Sequence, residues 1–237
     1  MGLAMACELL TRGHTVLCIS RSHPEELARH AHETGAALLQ WSHDLAESAA
    51  PATRLENWLR GQDSKAWTSA TLINNAGVIP HIGPLSEIQP ADLARALRVG
   101  LEAPMQLTAA FLRATEDWSG ERKVLNISSG LARRAMASQA AYCAAKAGMD
   151  HFTRCVALEE AGKINGAKVC SLAPGVMDTA MQLQLRGADA AAFPDRESFA
   201  RLKSEGRLAP PDEAAHRVLA WLARPDFGAQ PVADVRE

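Results

Sequence analysis

Lys123-Val124-Leu125-Asn126-Ile127-Ser128-Ser129-Gly130, followed after a small-residue loop by Tyr142-Cys143-Ala144-Ala145-Lys146-Ala147-Gly148, is the stretch on which the reading of this chain turns. Val124, Leu125 and Ile127 form a short apolar run ended by Ser128-Ser129-Gly130, the pattern of a buried strand. The alanine-rich segment from Ser138 to Gly162 reads as a helix. On it Tyr142 and Lys146 stand four apart and share one face. A strand thus delivers Ser129, and a helix delivers a phenol and an ammonium.

Those residue types suit proton transfer to or from a carbonyl or alcohol oxygen. A free phenol titrates near about 10 and donates poorly at neutral pH, and a neighbouring ammonium favours its ionised form. Lys146 can supply that charge, and Ser129 can hold a substrate oxygen against the phenol. Tyr142 is also the chain's only tyrosine. A tyrosine and a lysine four apart on a helix also arise by chance, so the weight falls on the rest of the chain.

At 237 residues and 47% hydrophobic content, one domain with a substantial core is expected, and no Pro/Gly-rich linker or low-complexity tract divides it. The formal charge of −2, with both signs interspersed, argues against a nucleic-acid stripe or a membrane-binding basic face. No apolar run reaches the roughly 18–20 residues of a membrane span, and Glu8 interrupts the first apolar stretch, which lacks a basic leader and a cleavage site. A cytoplasmic location is expected. The five cysteines are odd in number and form no C-x-x-C pair, which suits reduced core thiols. The eight histidines show no ligand spacing; His30 and His32 are too close on a helix to share a face, and no metal is expected.

Taken in order, the chain alternates. Residues 2–12 have helical spacing ended by Gly13, 14–20 are β-like, and 24–33 read as a helix with proline in its first turn. A strand at 37–41, a helix at 47–60 and a strand at 71–74 run into Asn74-Asn75-Ala76-Gly77. Residues 90–99 and 101–118 read as consecutive or kinked helices ahead of the 123–128 strand and the 138–162 helix. A strand at 168–172 ends in Ala173-Pro174-Gly175. Residues 177–208 form a mixed segment with the look of a substrate lid, 212–223 a helix and 231–235 a last short strand. Such alternation implies a doubly wound, Rossmann-type α/β fold, a parallel sheet covered on both faces with ligands at the carboxyl ends of its strands.

Over nearly its whole length the chain resembles the classical short-chain dehydrogenases/reductases. Asn74-Asn75-Ala76-Gly77 resembles the family's N-N-A-G turn, Ser129 stands thirteen residues before Tyr142 as the family's serine does, Tyr142-x-x-x-Lys146 matches its catalytic pair, and Pro174-Gly175-Val176-Met177-Asp178-Thr179 resembles its P-G-x-x-x-T segment. The resemblance implies hydride transfer between a nicotinamide cofactor and a small-molecule carbonyl, with Ser129, Tyr142 and Lys146 catalytic. Tyr142 would be the general acid or base, and Lys146 would lower its pKa and bind the nicotinamide ribose. Val176 and Thr179, beside Pro174 and Gly175, would contact the carboxamide. Asn75, Ala76 and Gly77 would line the adenosine side, where a plain tight turn is the other reading. Asp44, followed by Leu45, would bind adenine; by itself it reads equally as a helix N-cap.

At the end of the second strand a carboxylate would bind a ribose diol and repel a 2′-phosphate. This chain has Ser20 and Arg21 there instead, which favours NADP(H), against the reading of Arg21 as a solvated surface residue.

Two departures from the family stand out. The family opens with a strand and a glycine-rich turn that approaches the pyrophosphate. Met1-Gly2-Leu3-Ala4 places Gly2 as the last of those glycines, with roughly a dozen residues, the first strand included, not represented. A start assigned too far downstream and a truncated chain that binds no cofactor, surviving as a binding or structural protein, are the two explanations. A sheet without that strand would have a gap between its flanking strands. Second, Gly100 stands where the family has an asparagine that completes a proton relay, and glycine offers no side-chain donor.

Within the family the closer resemblance is to sepiapterin reductases and the bacterial reductases that form (S)-benzoin from benzil, through Tyr142 to Ala147, Ala157 to Glu160, Ala173 to Thr179 with Met181-Gln182, and the tail from Leu202 to Asp234. This implies a vicinal or aromatic dicarbonyl as substrate. Asp234 falls where sepiapterin reductases anchor the pterin; a lone tail carboxylate is also commonly just solvated. Met181, Leu185, Phe193 and Phe199 are either apolar walls for an aromatic diketone or ordinary core. A homodimer or homotetramer is expected through Leu107, Ala110, Phe111 and Ala114 on one helix and Ala144, Ala147, His151 and Cys155 on another, residues that intramolecular packing would also use.

Overall fold

Proline and glycine punctuate the chain where the elements begin and end. The computed structural model covers residues 1–237. Its elements are α1 (Gly2–Thr11), β1 (Val16–Ser20), α2 (Glu25–Thr34), β2 (Leu38–Ser42), α3 (Ala49–Arg60), β3 (Ser69–Asn74), α4 (Pro90–Leu97), α5 (Ala103–Ala114), β4 (Glu121–Ile127), α6 (Ala140–Ala161), β5 (Lys168–Ala173), α7 (Ala180–Arg186), α8 (Arg196–Ser204), α9 (Pro211–Leu222) and β6 (Val232–Asp234). Pro90 and Pro211 occupy first helical turns, where a missing N–H costs nothing. Gly35 ends α2 in the left-handed region at φ 68°, which a residue with a Cβ adopts only under strain. Between α4 and α5 the chain does not break: Arg98–Glu102 forms a π turn that joins them.

The strands are all parallel and form two sheets. One is β1 with β2, in register Val16 to Leu38. The other runs β3-β4-β5-β6, with Leu72 beside Val124 and Leu125 beside Cys170. The expected Rossmann-type architecture is therefore present as two parallel sheets that share no ladder. The free edges of β1 and β3 both line one cavity of about 1480 Å³.

Helices hold the sheets together on both faces. On one face α1 bridges them. Its Met5 packs with Leu125, Leu172 and Leu219, while Ala6 and Leu10 pack with Val16 and with Leu27 of α2. On the other face Leu55 and Leu59 of α3 pack with Trp41 of β2 and with Leu107 and Phe111 of α5.

The α5 half of the expected subunit interface fails on this packing. Leu107, Ala110, Phe111 and Ala114 are buried in the chain's own core against α3 and β4. Ala144, Ala147, His151 and Cys155 of α6 are exposed. No helix is long and apolar enough to cross a membrane.

Candidate active site

Parallel strands ending at the same level bring together three turns far apart in sequence: those after β3, β4 and β5. Asn75, Ala76 and Gly77 follow β3, Ser128 and Ser129 follow β4, and Pro174, Gly175 and Val176 follow β5. With Gly2, Ser20, Arg21, Asp44, Leu45, Tyr142, Lys146, Thr179 and Asp234, they all line the one cavity.

The candidate acid–base group sits where β4 meets α6. Ser129 Oγ accepts the Leu131 N–H at 3.2 Å, which fixes the serine rotamer, and the hydroxyl faces the Tyr142 phenol. Lys146 is 3% exposed, its Nζ donates to the Ile127 carbonyl at 2.7 Å, and the same Nζ lies 5.9 Å from the centre of the Tyr142 ring. Burial pushes the Tyr142 phenol up, against the Ser129 hydrogen bond, which pulls it down. Burial brings Lys146 down to about 8, opposed by the negative charge of Asp150. The ammonium is thus close to titrating in the working range, where it can act on the phenol only while it stays charged.

Several cavity-lining side chains are already engaged. Asp44 caps the short 3-10 turn at Leu45–Glu47, accepting Ala46 N–H at 3.0 Å, and it also takes Arg95 at 2.9 Å; the N-cap reading is the one observed. These hydrogen bonds hold its acid low, the Ala46 N–H first and Arg95 second. Ser20 Oγ donates to Ser22 O at 2.7 Å, within its own turn. Arg21 is exposed at the end of β1, with no acidic partner in contact. Asp234 is neither free nor solvated. It is 3% exposed and held in a two-pronged contact by Arg236, both distances 2.7 Å, with Arg133 at 3.4 Å.

Glycines mark close approaches. Gly175 has φ +79°, which turns the chain out of β5 and leaves Val176 exposed at the cavity. A Cβ on Gly2 would come within 2.6 Å of Asn75 Nδ2, and one on Gly77 within 3.9 Å of Lys146 Nζ. Thr179 begins α7 and makes no capping hydrogen bond with its side chain. At Gly100 a Cβ would lie 3.0 Å from the Ala145 Cβ, so the glycine lets the π turn lie against α6. The segment 177–208 carries α7 and α8 and is closed at its base by a bridge between Met177 and Ala209. Within it Leu185 and Phe199 line the cavity, and Met181 Cε lies where it would be 3.4 Å from a Cβ on Gly77, whereas Phe193 is fully buried against Phe199 and belongs to the core.

Sequence reasoning passed over a buried polar set beneath the site. Asn74 Nδ2 donates to Asn126 Oδ1 at 2.8 Å and to Thr108 Oγ1 at 3.2 Å, and Asn126 Nδ2 donates to Thr153 at 2.9 Å. Asp150 Oδ1 accepts the Ser128 and Ser171 hydroxyls at 2.6 and 2.7 Å. The available signal was helical spacing, because Asp150 is four residues beyond Lys146 on the same face.

A doubly wound fold whose strand ends gather a serine, a single phenol and a buried ammonium in one cavity is the framework of a Rossmann-type oxidoreductase. The chain belongs to the short chain dehydrogenase family, whose profile matches residues 1–190. It is 34% identical to a benzil reductase ((S)-benzoin forming) of Bacillus cereus over 227 residues, 96% of this chain and 91% of that protein. It is also 30% identical to a sepiapterin reductase of Meriones unguiculatus, over 93% of this chain and 85% of the relative. A crystal structure of a short-chain dehydrogenase/reductase from Burkholderia vietnamiensis matches with a TM-score of 0.62 and 35% identity, covering 100% of this chain and 92% of that one. The oxidoreductase class and both subgroup resemblances read from the sequence are borne out. The nicotinamide dinucleotide that such an enzyme uses fits the residues present. Gly2, Gly77 and Arg21 line the same cavity as Ser129, Tyr142 and Lys146, Arg21 makes no ion pair, and Lys146 Nζ stands beside Gly77.

Proposed function

We propose that the protein is an NADPH-dependent carbonyl reductase acting on a small aromatic or vicinal dicarbonyl, with Tyr142 as general acid. The observation that carries this reading is the single tyrosine, facing the Ser129 hydroxyl and backed by the buried Lys146, at a cavity partly walled by Met181, Leu185 and Phe199. Ser129 and Tyr142 together hold the carbonyl oxygen that is to be reduced. Bound at the strand ends, the nicotinamide supplies the hydride. Tyr142 Oη gives its proton to the oxygen as negative charge develops there, and the Lys146 ammonium favours the phenolate left behind.

Arg21 and Ser20 are the residues we assign to a 2′-phosphate, since the Arg21 guanidinium makes no ion pair and the Asp44 carboxylate near it is committed to the Ala46 N–H and Arg95. Asn75, Ala76 and Gly77 serve the adenosine side, and Leu45 with the backbone after Asp44 serves adenine, the Asp44 carboxylate being committed to its cap. Gly2 serves the pyrophosphate and Pro174, Gly175, Val176 and Thr179 the carboxamide. Asp234 meets a substrate only in exchange for an arginine. The segment 177–208 acts as the lid, and the exposed α6 stripe is the surface left for a homo-oligomer. The free cysteines suit a cytoplasmic setting.

The break between the two sheets favours one other reading, a protein that keeps the site without turnover. NADPH titration followed by tryptophan fluorescence, then NADPH oxidation with benzil, separates the two. Binding and turnover with NADPH at least about tenfold preferred over NADH support the reductase. Binding of neither cofactor by the folded chain leaves the second reading.

A further inference from the structure

The end of β4 and one face of α6 are joined residue by residue. Ser129 meets Tyr142, the Ile127 carbonyl takes Lys146, Ser128 donates to Asp150, and Asn126 donates to Thr153. Four consecutive residues, the last two of β4 and the two that follow it, therefore meet four helix positions on one stripe. Three of these pairs involve neutral partners or a catalytic residue. The fourth is a carboxylate, 3% exposed, with Oδ1 holding two serine hydroxyls and Oδ2 buried without any partner. Burying a carboxylate is costly, and an apolar or amide side chain could have filled this place.

We propose that Asp150 is a positioning residue of the reaction: it locks the β4 end in register under Tyr142 and supplies the buried negative charge that keeps the Lys146 ammonium protonated. The inference rests on Lys146 serving Tyr142 as described above. Lys146 and Asp150 are one helical turn apart, so their coupling is electrostatic through a dry interior, while the Ser128 bond ties the carboxylate to the residue next to the lysine's own acceptor, Ile127. The charges on the other elements packed on α6 are paired, or are not buried as that of Asp150 is. Cys170 of β5 has its thiol pushed up to about 12 and is neutral, and Lys168 of the same strand is paired with Glu121. Arg95 and Arg98 are paired with Asp44 and Glu47. Asp92 and Glu102 keep their charge, since the His81 N–H and the Gln106 amide from which they accept are neutral, but neither is buried, and Asp234 of β6 is paired with Arg236. Asp150 is the one charge whose effect on Lys146 stands out, and its sign is the one needed.

The experiment is a titration of the lysine side chains by NMR with 13Cε-lysine label, in the unsubstituted protein and in Asp150→Asn, alongside the pH profile of benzil reduction. Lys146 is the lysine that titrates near 8, and Lys146→Met assigns it by loss of its signal. In Asp150→Asn its midpoint is expected to fall by about 1 pH unit, and the alkaline limb of kcat/KM to move down with it. A melting temperature lowered with both titrations unmoved would reduce Asp150 to a structural residue and overturn the proposal. If the asparagine variant does not fold, Asp150→Ser, smaller and still able to take the Ser128 hydroxyl, carries the same expectation. Because the NMR midpoint needs no turnover, a shifted Lys146 in a protein that reduces no dicarbonyl would sustain the role of Asp150 and remove only the reductase reading.

Discussion

The β4–α6 seam and the β1–β2 pair meet the same cavity but are built differently. At the seam, buried hydrogen bonds fix Lys146 and the residues around the β4 end: Lys146 on Ile127, Ser128 on Asp150, Asn126 between Asn74 and Thr153. The β1–β2 pair shares no ladder with the larger sheet and is joined to it through side-chain packing of α1 and α3. Directional bonds hold a proton donor to a fraction of an ångström, whereas apolar contacts hold a platform in place without specifying it as finely. In the function proposed above, the seam is the side on which chemistry needs precision, and the pair is the side that would present a surface to a nucleotide.

The largest effect that would break this comparison is at Tyr142. Tyr142→Phe removes the only phenol and leaves the seam's buried bonds intact, so NADPH-dependent benzil reduction should fall on the order of 10²–10⁴-fold while NADPH binding and urea stability stay put. A residual rate within a few-fold of the unsubstituted protein would place the proton donor elsewhere. Next in size is a pair of leucine truncations. Leu125 is fully buried in β4, so Leu125→Ala should cost about 2–5 kcal/mol in urea unfolding. Leu17 is partly exposed at the cavity edge of β1, and Leu17→Ala should cost less than half as much. Equal costs would mean the two sheets are equally well packed.

A third test uses pH. Glu160 of α6 is 2% exposed and faces Arg122 of β4 at 3.4 Å, with Lys163 at 2.7 Å and the Ala167 N–H at 2.9 Å. Burial raises its acid, but the Lys163 and Ala167 hydrogen bonds and the two cations outweigh it, and the net direction is down. A carboxyl held low when folded contributes stability that is complete above its unfolded value of about 4.3 and is lost as pH falls through the folded value. Stability measured from pH 6 to pH 3 should decline along that course, and Glu160→Gln should flatten part of the decline while lowering stability at pH 6. Smaller again is Arg21→Ala on the other platform. It should weaken NADPH binding about tenfold and NADH binding hardly at all, with no change in the pH profile of turnover. Equal losses for both cofactors would detach Arg21 from the 2′-phosphate.

Much of the larger sheet and its acid–base group was legible in the sequence because apolar runs ended by Asn74-Asn75-Ala76-Gly77, Ser128-Ser129-Gly130 and Pro174-Gly175 announce both a strand and the turn that closes it. Tyr142 and Lys146 followed from helical spacing. What spacing could not provide was commitment. Asp44 read equally as an adenine ligand and as a helix N-cap, and Asp234 as a substrate anchor or a solvated carboxylate; one caps a turn, and the other is clamped by Arg236, a partner that spacing alone did not select. Leu107 to Ala114 read as a surface stripe because small and apolar residues serve a subunit interface and a core alike. Asp150 passed unremarked because its partners, Ser128 and Ser171, lie on two different strands.

Gly100 gives the smallest and sharpest test, since sequence and structure value it differently. As sequence it is a missing amide; as structure it is a contact, with room for a Cβ only 3.0 Å from that of Ala145. Alanine in place of glycine favours a helical conformation by about 1 kcal/mol. Forcing two Cβ atoms apart by a few tenths of an ångström opposes it by about 1–3 kcal/mol in a packed interior. Ala145 has no rotamer to yield and neighbours Lys146, which is tied to Ile127, so the strain goes into the seam rather than away from it. Gly100→Ala should therefore leave unfolding free energy within about 1 kcal/mol of the unsubstituted value yet lower kcat several-fold with KM unchanged. A variant that is more stable and equally active would mean that α6 can shift against the π turn without cost to the site, and the seam would then be less rigid than its hydrogen bonds imply.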